Sequence, residues 1–117
     1  MRREQVMRIA DKMRFDNGVS AVSKGLDDNY YLRAVMYVSS QPSVEAVKTV
    51  MQKLARRFIV ANGAKKGALR SGKAYVISAD NRIYYSTLIT ITELDLRWKA
   101  TITAVSGCYI VTFVPEE

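Results

Sequence analysis

The run Gly67-Ala68-Leu69-Arg70-Ser71-Gly72-Lys73 carries the spacing GxxxxGK, in which glycines bare backbone N–H groups and a lysine reaches the β and γ phosphates of a nucleotide. Hydrolytic use requires a Ser or Thr next, to ligate magnesium, and a strand, loop, helix order that sets phosphate at a helix N-terminus. Ala74 follows here, and the run leads from a helical pattern into a strand pattern. The stretch reads as a flexible basic connector.

Asp80, Glu93 and Asp95, with Arg97 and Lys99, raise a second chemistry: carboxylates on adjacent strands holding magnesium beside a lysine, as in a nuclease. Asp80 and Asp95 fall in predicted turns at opposite ends of a strand from Ile83 to Glu93, roughly 30 Å apart at strand rise, too far to share a metal. Turn polarity and cross-strand charge pairing account for these residues. The chain has no histidine, which removes the usual general base, nucleophile partner and metal ligand. Cys108 is the single cysteine, so it makes no internal disulfide, and it has no candidate base nearby in sequence. The expectation is a non-enzymatic chain with no metal and no cofactor.

Charge points elsewhere. Lys48, Lys53, Arg56, Arg57, Lys65, Lys66, Arg70 and Lys73 lie in a stretch without an acid, whereas ten basic residues face eleven acids in the rest of the chain. The net charge of +7 is thus concentrated, and self-repelling charge held on one surface suits an anionic partner. A solvated lysine-rich face is the plain alternative. Against it, these cations lack i,i+4 acids, and they continue into a glycine-rich segment able to mould to a phosphate backbone.

The elements that must carry this charge follow from periodicity. Val6, Ile9, Ala10 and Met13 recur at helical spacing within Arg2 to Phe15, and Asn17-Gly18 reads as the stop. Residues 19 to 29 are weakly patterned and read as loop with room for a short strand. Tyr30 to Val38 alternates; the same letters would suit a buried helix, but β-branched and aromatic content favours strand. Ser40 or Ser43 is available as N-cap for a second helix to Ala61, with Val44, Val47, Met51, Leu54 and Phe58 on its apolar face and Asn62-Gly63 at its end. Gly63 to Gly72 reads as a mobile basic loop.

Beyond the loop the period becomes two, with turns at Asp80-Asn81, Leu94-Asp95 and Ser106-Gly107. Two-residue turns set Val76 opposite Tyr85, Ile91 opposite Trp98, Ile89 opposite Ala100, Ile102 opposite Val111 and Ala100 opposite Phe113, all on one face. The other face, with Tyr75, Tyr84, Arg97 and Lys99 among threonines, is largely wet. Those four residues form a candidate base-stacking face, against the plain alternative of tyrosines placed by strand propensity.

A chain of 117 residues, 49% hydrophobic, supports one domain over 1–117. The predicted class is α+β, two-layer, with two amphipathic helices on one face of a four- to five-stranded antiparallel sheet ending in a β-meander. No window approaches a membrane span, and the charged opening Met1-Arg2-Arg3-Glu4 lacks an apolar leader pattern, so the chain reads as cytoplasmic without a membrane partner. The expected function is nucleic-acid binding of low sequence specificity, phosphates being held by the helix end and the loop. The alternative is a protein-interaction module: an inhibitor of an acidic protein, or a homo-oligomer subunit pairing through a C-terminal edge strand with Cys108, Ile110, Val111 and Phe113 in it.

Overall fold

The computed structural model describes residues 1–15, 17–39, 42–77 and 82–116. Among these residues two helices and seven strands follow one another as α1 (Arg3–Met13), β1 (Gly18–Lys24), β2 (Tyr30–Tyr37), α2 (Val44–Ala61), β3 (Ala68–Ser71), β4 (Tyr75–Val76), β5 (Ile83–Ile91), a 3-10 turn (Thr92–Leu94), β6 (Leu96–Val105) and β7 (Cys108–Glu116). The fold is α+β. Its sheet is antiparallel, in the order β1-β2-β7-β6-β5-β3 with β4 also on β5, so it exceeds the four to five strands expected. No helix among the described residues is long and apolar enough to cross a membrane.

Strict alternation builds the core. Ile83, Tyr85, Thr87, Ile89 and Ile91 of β5 are buried, as are Trp98, Ala100, Ile102 and Ala104 of β6 and Tyr109, Val111 and Phe113 of β7. Against this face α1 buries Val6, Ile9 and Met13, and α2 buries Val47, Met51, Leu54, Ala55, Phe58, Ile59 and Ala61. Each large side chain so removed from water contributes about 1.5–3 kcal/mol, and the helices, lying on one side of the sheet, leave its other face uncovered.

α2 starts and stops on local chemistry. The Ser43 hydroxyl accepts from the Ala46 amide (3.2 Å), and at the far end Gly63 takes φ 85° while the amides of Gly63 and Ala64 return to the carbonyls of Val60 and Ile59, satisfying groups the helix leaves open. Ser40, the other candidate cap, lies outside the described residues, as does the Asp80-Asn81 turn. Ser43→Ala is expected to cost about 1 kcal/mol and to lower the thermal midpoint by roughly 4 °C, measured by circular dichroism.

Several expectations are corrected. α1 ends at Met13, ahead of Asn17-Gly18, and Gly18 opens β1 instead, where an added Cβ would stand 2.3 Å from the Val35 carbonyl oxygen. β1 is a full strand. It pairs along β2 from Gly18↔Met36 to Lys24↔Tyr30, but both of its sides are mostly accessible, so it needs no apolar alternation to betray it. The β5–β6 loop is also longer than two residues. Thr92–Asp95 closes with Asp95 in the left-handed region (φ 51°), so Ile91 pairs Leu96, Ile89 pairs Trp98 and Thr87 pairs Ala100. Val76 likewise pairs Ile83 and not Tyr85. Both slips are of two residues, which keeps each side chain on its expected face. The β6–β7 register, with Ile102↔Val111 and Ala100↔Phe113, is as expected. Finally, β7 is not an edge: β2 pairs it from Leu32↔Phe113 to Tyr37↔Cys108, so the strand expected to pair with another chain is already paired on both sides.

Candidate nucleic-acid interface

The basic segment is divided among several surfaces. Lys53 and Arg56 are exposed on α2. Lys48 is half-buried, and its charge reaches Tyr85. Burial pushes the Tyr85 phenol up, and hydrogen bonds with Ser71 and Gln52 together with that charge outweigh it, leaving the group below the usual tyrosine value. Arg57, with Arg56, lines a groove of about 420 Å³ beside Lys12, Met13, Val60 and Ala61 at the C-terminal ends of both helices. Lys65 and Lys66 occupy the link after α2, their backbone amides donating to Glu93 Oε1 (2.9 and 3.5 Å).

Arg70 and Lys73 lie farther on, and here the expected mobile loop is corrected. Residues 68 to 71 form β3, paired from Ala68↔Thr90 to Ser71↔Thr87. The glycines of the GxxxxGK run serve packing: a Cβ on Gly67 would meet Ile59 Cδ1 at 2.6 Å and one on Gly72 would meet Ser86 Oγ at 2.7 Å. The Gly72 amide, which a phosphate-binding loop would present to ligand, donates to the Ser86 carbonyl (2.8 Å). Glu93 is equally committed to the Lys65 and Lys66 amides. Asp80 lies outside the described residues.

Between β3 and β4 the edge strand takes in an extra residue. Ser71 pairs Thr87 while Tyr75 pairs Tyr84, four steps on one strand against three on the other, which is a bulge. The bulge reverses the parity of the residues beyond it. Arg70, paired to Leu88, and Tyr75, paired to Tyr84, therefore both fall on the face away from the helices.

That uncovered face joins part of the basic segment to the candidate stacking residues. Tyr75 and Tyr84 pack ring on ring (centroids 5.4 Å, 39°), and Tyr75 keeps 48% exposure. Leu88 separates Arg70 from Lys99, so the two cations stand roughly 10 Å apart across two strand spacings. Lys99 lies four β5 residues from the Tyr84 level and Arg97 six, roughly 13 and 20 Å along the strand. The tyrosine pair and the two β6 cations thus share a face but mark its two ends. Lys53 and Arg56 belong to the helical layer, on the opposite side of the molecule.

Sequence reasoning missed part of this face. Tyr31, Arg33 and Tyr37 of β2 point the same way, since Leu32 and Ala34 between them are buried, and Tyr37 is 56% exposed. Their alternation was visible, but only pairing to β7 reveals which side they share. Next to them the Thr101 and Thr112 hydroxyls hydrogen-bond to each other, giving the centre of the face a neutral polar floor. Among the described strand residues the acid on this face is Glu116, directly across from Arg97. Comparison with protein-family models, with curated proteins and with solved structures finds no match for this chain.

Proposed function

We propose that the chain is a non-enzymatic nucleic-acid-binding protein of low sequence specificity, and that it holds a single strand along the uncovered sheet face. The observation that carries this reading is the joint presence there of the Tyr75–Tyr84 ring pair with Arg70, Arg97 and Lys99 and one facing acid. Aromatic rings accept bases of any identity, while cations along the same surface follow the phosphates. Arg33, exposed on the same face, and Lys73, exposed in the bulge two residues before Tyr75, add to these cations. Lys53, Arg56, Lys65 and Lys66 make no ion pair among the described residues, and they raise the field that draws a polyanion in.

Titrating an oligothymidylate by fluorescence anisotropy across a salt series tests the reading. Four phosphate contacts on a single strand give a log-log slope of about −2.8, and affinity that ignores salt would sink it. A second reading, a subunit of an assembly, is favoured by β1, which pairs only with β2 among the described residues and exposes Val19 by 62%. A concentration-dependent oligomer in sedimentation, with no mobility shift on any nucleic acid, would select it.

A further inference from the structure

We infer that the link between α2 and β3 is a phosphate site whose occupant, in the free protein, is the carboxylate of Glu93. The site lies off the tyrosine face and does not depend on a strand being held there.

The helix end creates it. Once Gly63 has turned the chain and Ala64 has been buried, two successive amides, those of Lys65 and Lys66, point at one oxygen, Glu93 Oε1. Converging backbone N–H groups form an anion-binding concavity, and both residues supplying them are lysines. A cavity of about 590 Å³, lined by Lys65, Lys66, Gly67, Ala68, Thr92 and Glu93, opens beside them. There is thus room for an anion larger than a carboxylate.

The carboxylate fits this seat imperfectly. It bonds Lys65 at 2.9 Å but reaches Lys66 only at 3.5 Å, the limit for such a bond. A phosphate, with its oxygens spread tetrahedrally, can serve both amides and the two ammonium groups at once. Glu93 is exposed on a one-turn 3-10 segment, so it can leave the seat by a rotamer change, giving up the 2.9 Å contact with the Lys65 amide. The acid therefore acts as an intramolecular competitor, setting the phosphate concentration at which the site fills.

The test follows the Lys65 and Lys66 amide resonances in ¹H–¹⁵N spectra during titration with inorganic pyrophosphate and, separately, with oligothymidylate. Glu93→Ala and Glu93→Gln should each saturate these shifts at roughly tenfold lower pyrophosphate than the unmodified protein, as loss of one charge-assisted contact implies. Asp95→Asn removes the same charge two residues away, and asparagine tolerates the left-handed backbone there, so it should change the midpoint less than twofold. Equal gains from Glu93→Gln and Asp95→Asn would reduce the effect to general electrostatics and overturn the proposal. Glu93→Ala shifting the Lys65 and Lys66 amides without pyrophosphate but binding it no more tightly, with Glu93→Gln behaving as unmodified, would overturn it too, assigning Glu93 a pinning role. Shifts with oligothymidylate identify backbone phosphate as the source, and shifts with pyrophosphate alone identify a free phosphate. If the unmodified protein binds no oligonucleotide while the Glu93 variants still bind pyrophosphate as stated, the tyrosine-face reading fails and this one stands.

Discussion

Phe58→Ala is expected to remove about 4 kcal/mol of unfolding free energy. Phe58 is fully buried; its ring stacks on Phe113 (centroids 4.4 Å, 5°) and meets the edge of Trp98 (4.8 Å, 71°). One side chain thus ties α2 to both β6 and β7. Truncation loses the transfer energy of the ring, leaves a cavity that a paired sheet cannot collapse into, and breaks two aromatic contacts. Since a domain of this size has a total stability of about 5–15 kcal/mol, the loss takes a large part of it. Urea unfolding should show the midpoint falling with little change in slope. Val60→Ala, on the same helix but 67% exposed, should stay within about 0.5 kcal/mol of the parent. A loss at Phe58 no larger than that at Val60 would mean α2 is not seated on the sheet as described.

Phe58 was legible from sequence because α2 has one apolar stripe and clear caps. Face assignment in the meander was equally legible. Alternation fixes which side Tyr85, Trp98 and Phe113 take, and it survives a register slip of two residues, as both the β5–β6 and β4–β5 pairings show. Loop length was not, because the 3-10 turn at Thr92–Leu94 and the left-handed Asp95 leave no signal as strong as Ser106-Gly107. The full length of β1, expected as no more than a short strand, was hidden for a different reason. An edge strand open on both sides is held by backbone hydrogen bonds, and composition records those poorly. The pairing of β2 with β7 had no signal along either strand, and so the C-terminal strand looked like an edge.

The candidate site was half legible. Its residue types were visible, including the basic stretch and the tyrosines beside Arg97 and Lys99. That Arg70 joins them was not legible, since it turns on a single extra residue in the edge strand. Without the bulge between Ser71 and Tyr75, Arg70 and Tyr75 would face opposite sides of the sheet. Parity counted along one strand cannot register a bulge, because the bulge is a property of the pair. The same pairing converted a loop expected to order on binding into a strand ordered beforehand, so Arg70, the one cation of β3, enters any complex without the entropy cost of fixing a mobile segment.

The double variant Tyr75→Ala/Tyr84→Ala should weaken oligothymidylate binding by about 3 kcal/mol, roughly a hundredfold, given about 1–3 kcal/mol per stacked base. Its mechanism separates it from the charge variants. Tyrosines contribute no counterion release, so the salt slope should remain near that of the parent even as affinity falls. Arg70→Gln and Lys99→Gln should each flatten the slope by about 0.7 while costing less affinity at high salt. Tyr84 is half-buried and paired to Thr103 as well as Tyr75, so its truncation also touches the sheet. Tyr84→Leu, which keeps bulk and strand packing but lacks the aromatic face, should reproduce most of the binding loss with an unfolding midpoint close to the parent's. Lys53→Gln/Arg56→Gln, on the helical layer, should slow association at low salt and leave high-salt affinity nearly unchanged. If the tyrosine variants bind like the parent and the helical pair carries the loss, the strand lies on the helices and the uncovered sheet face is not where nucleic acid is held.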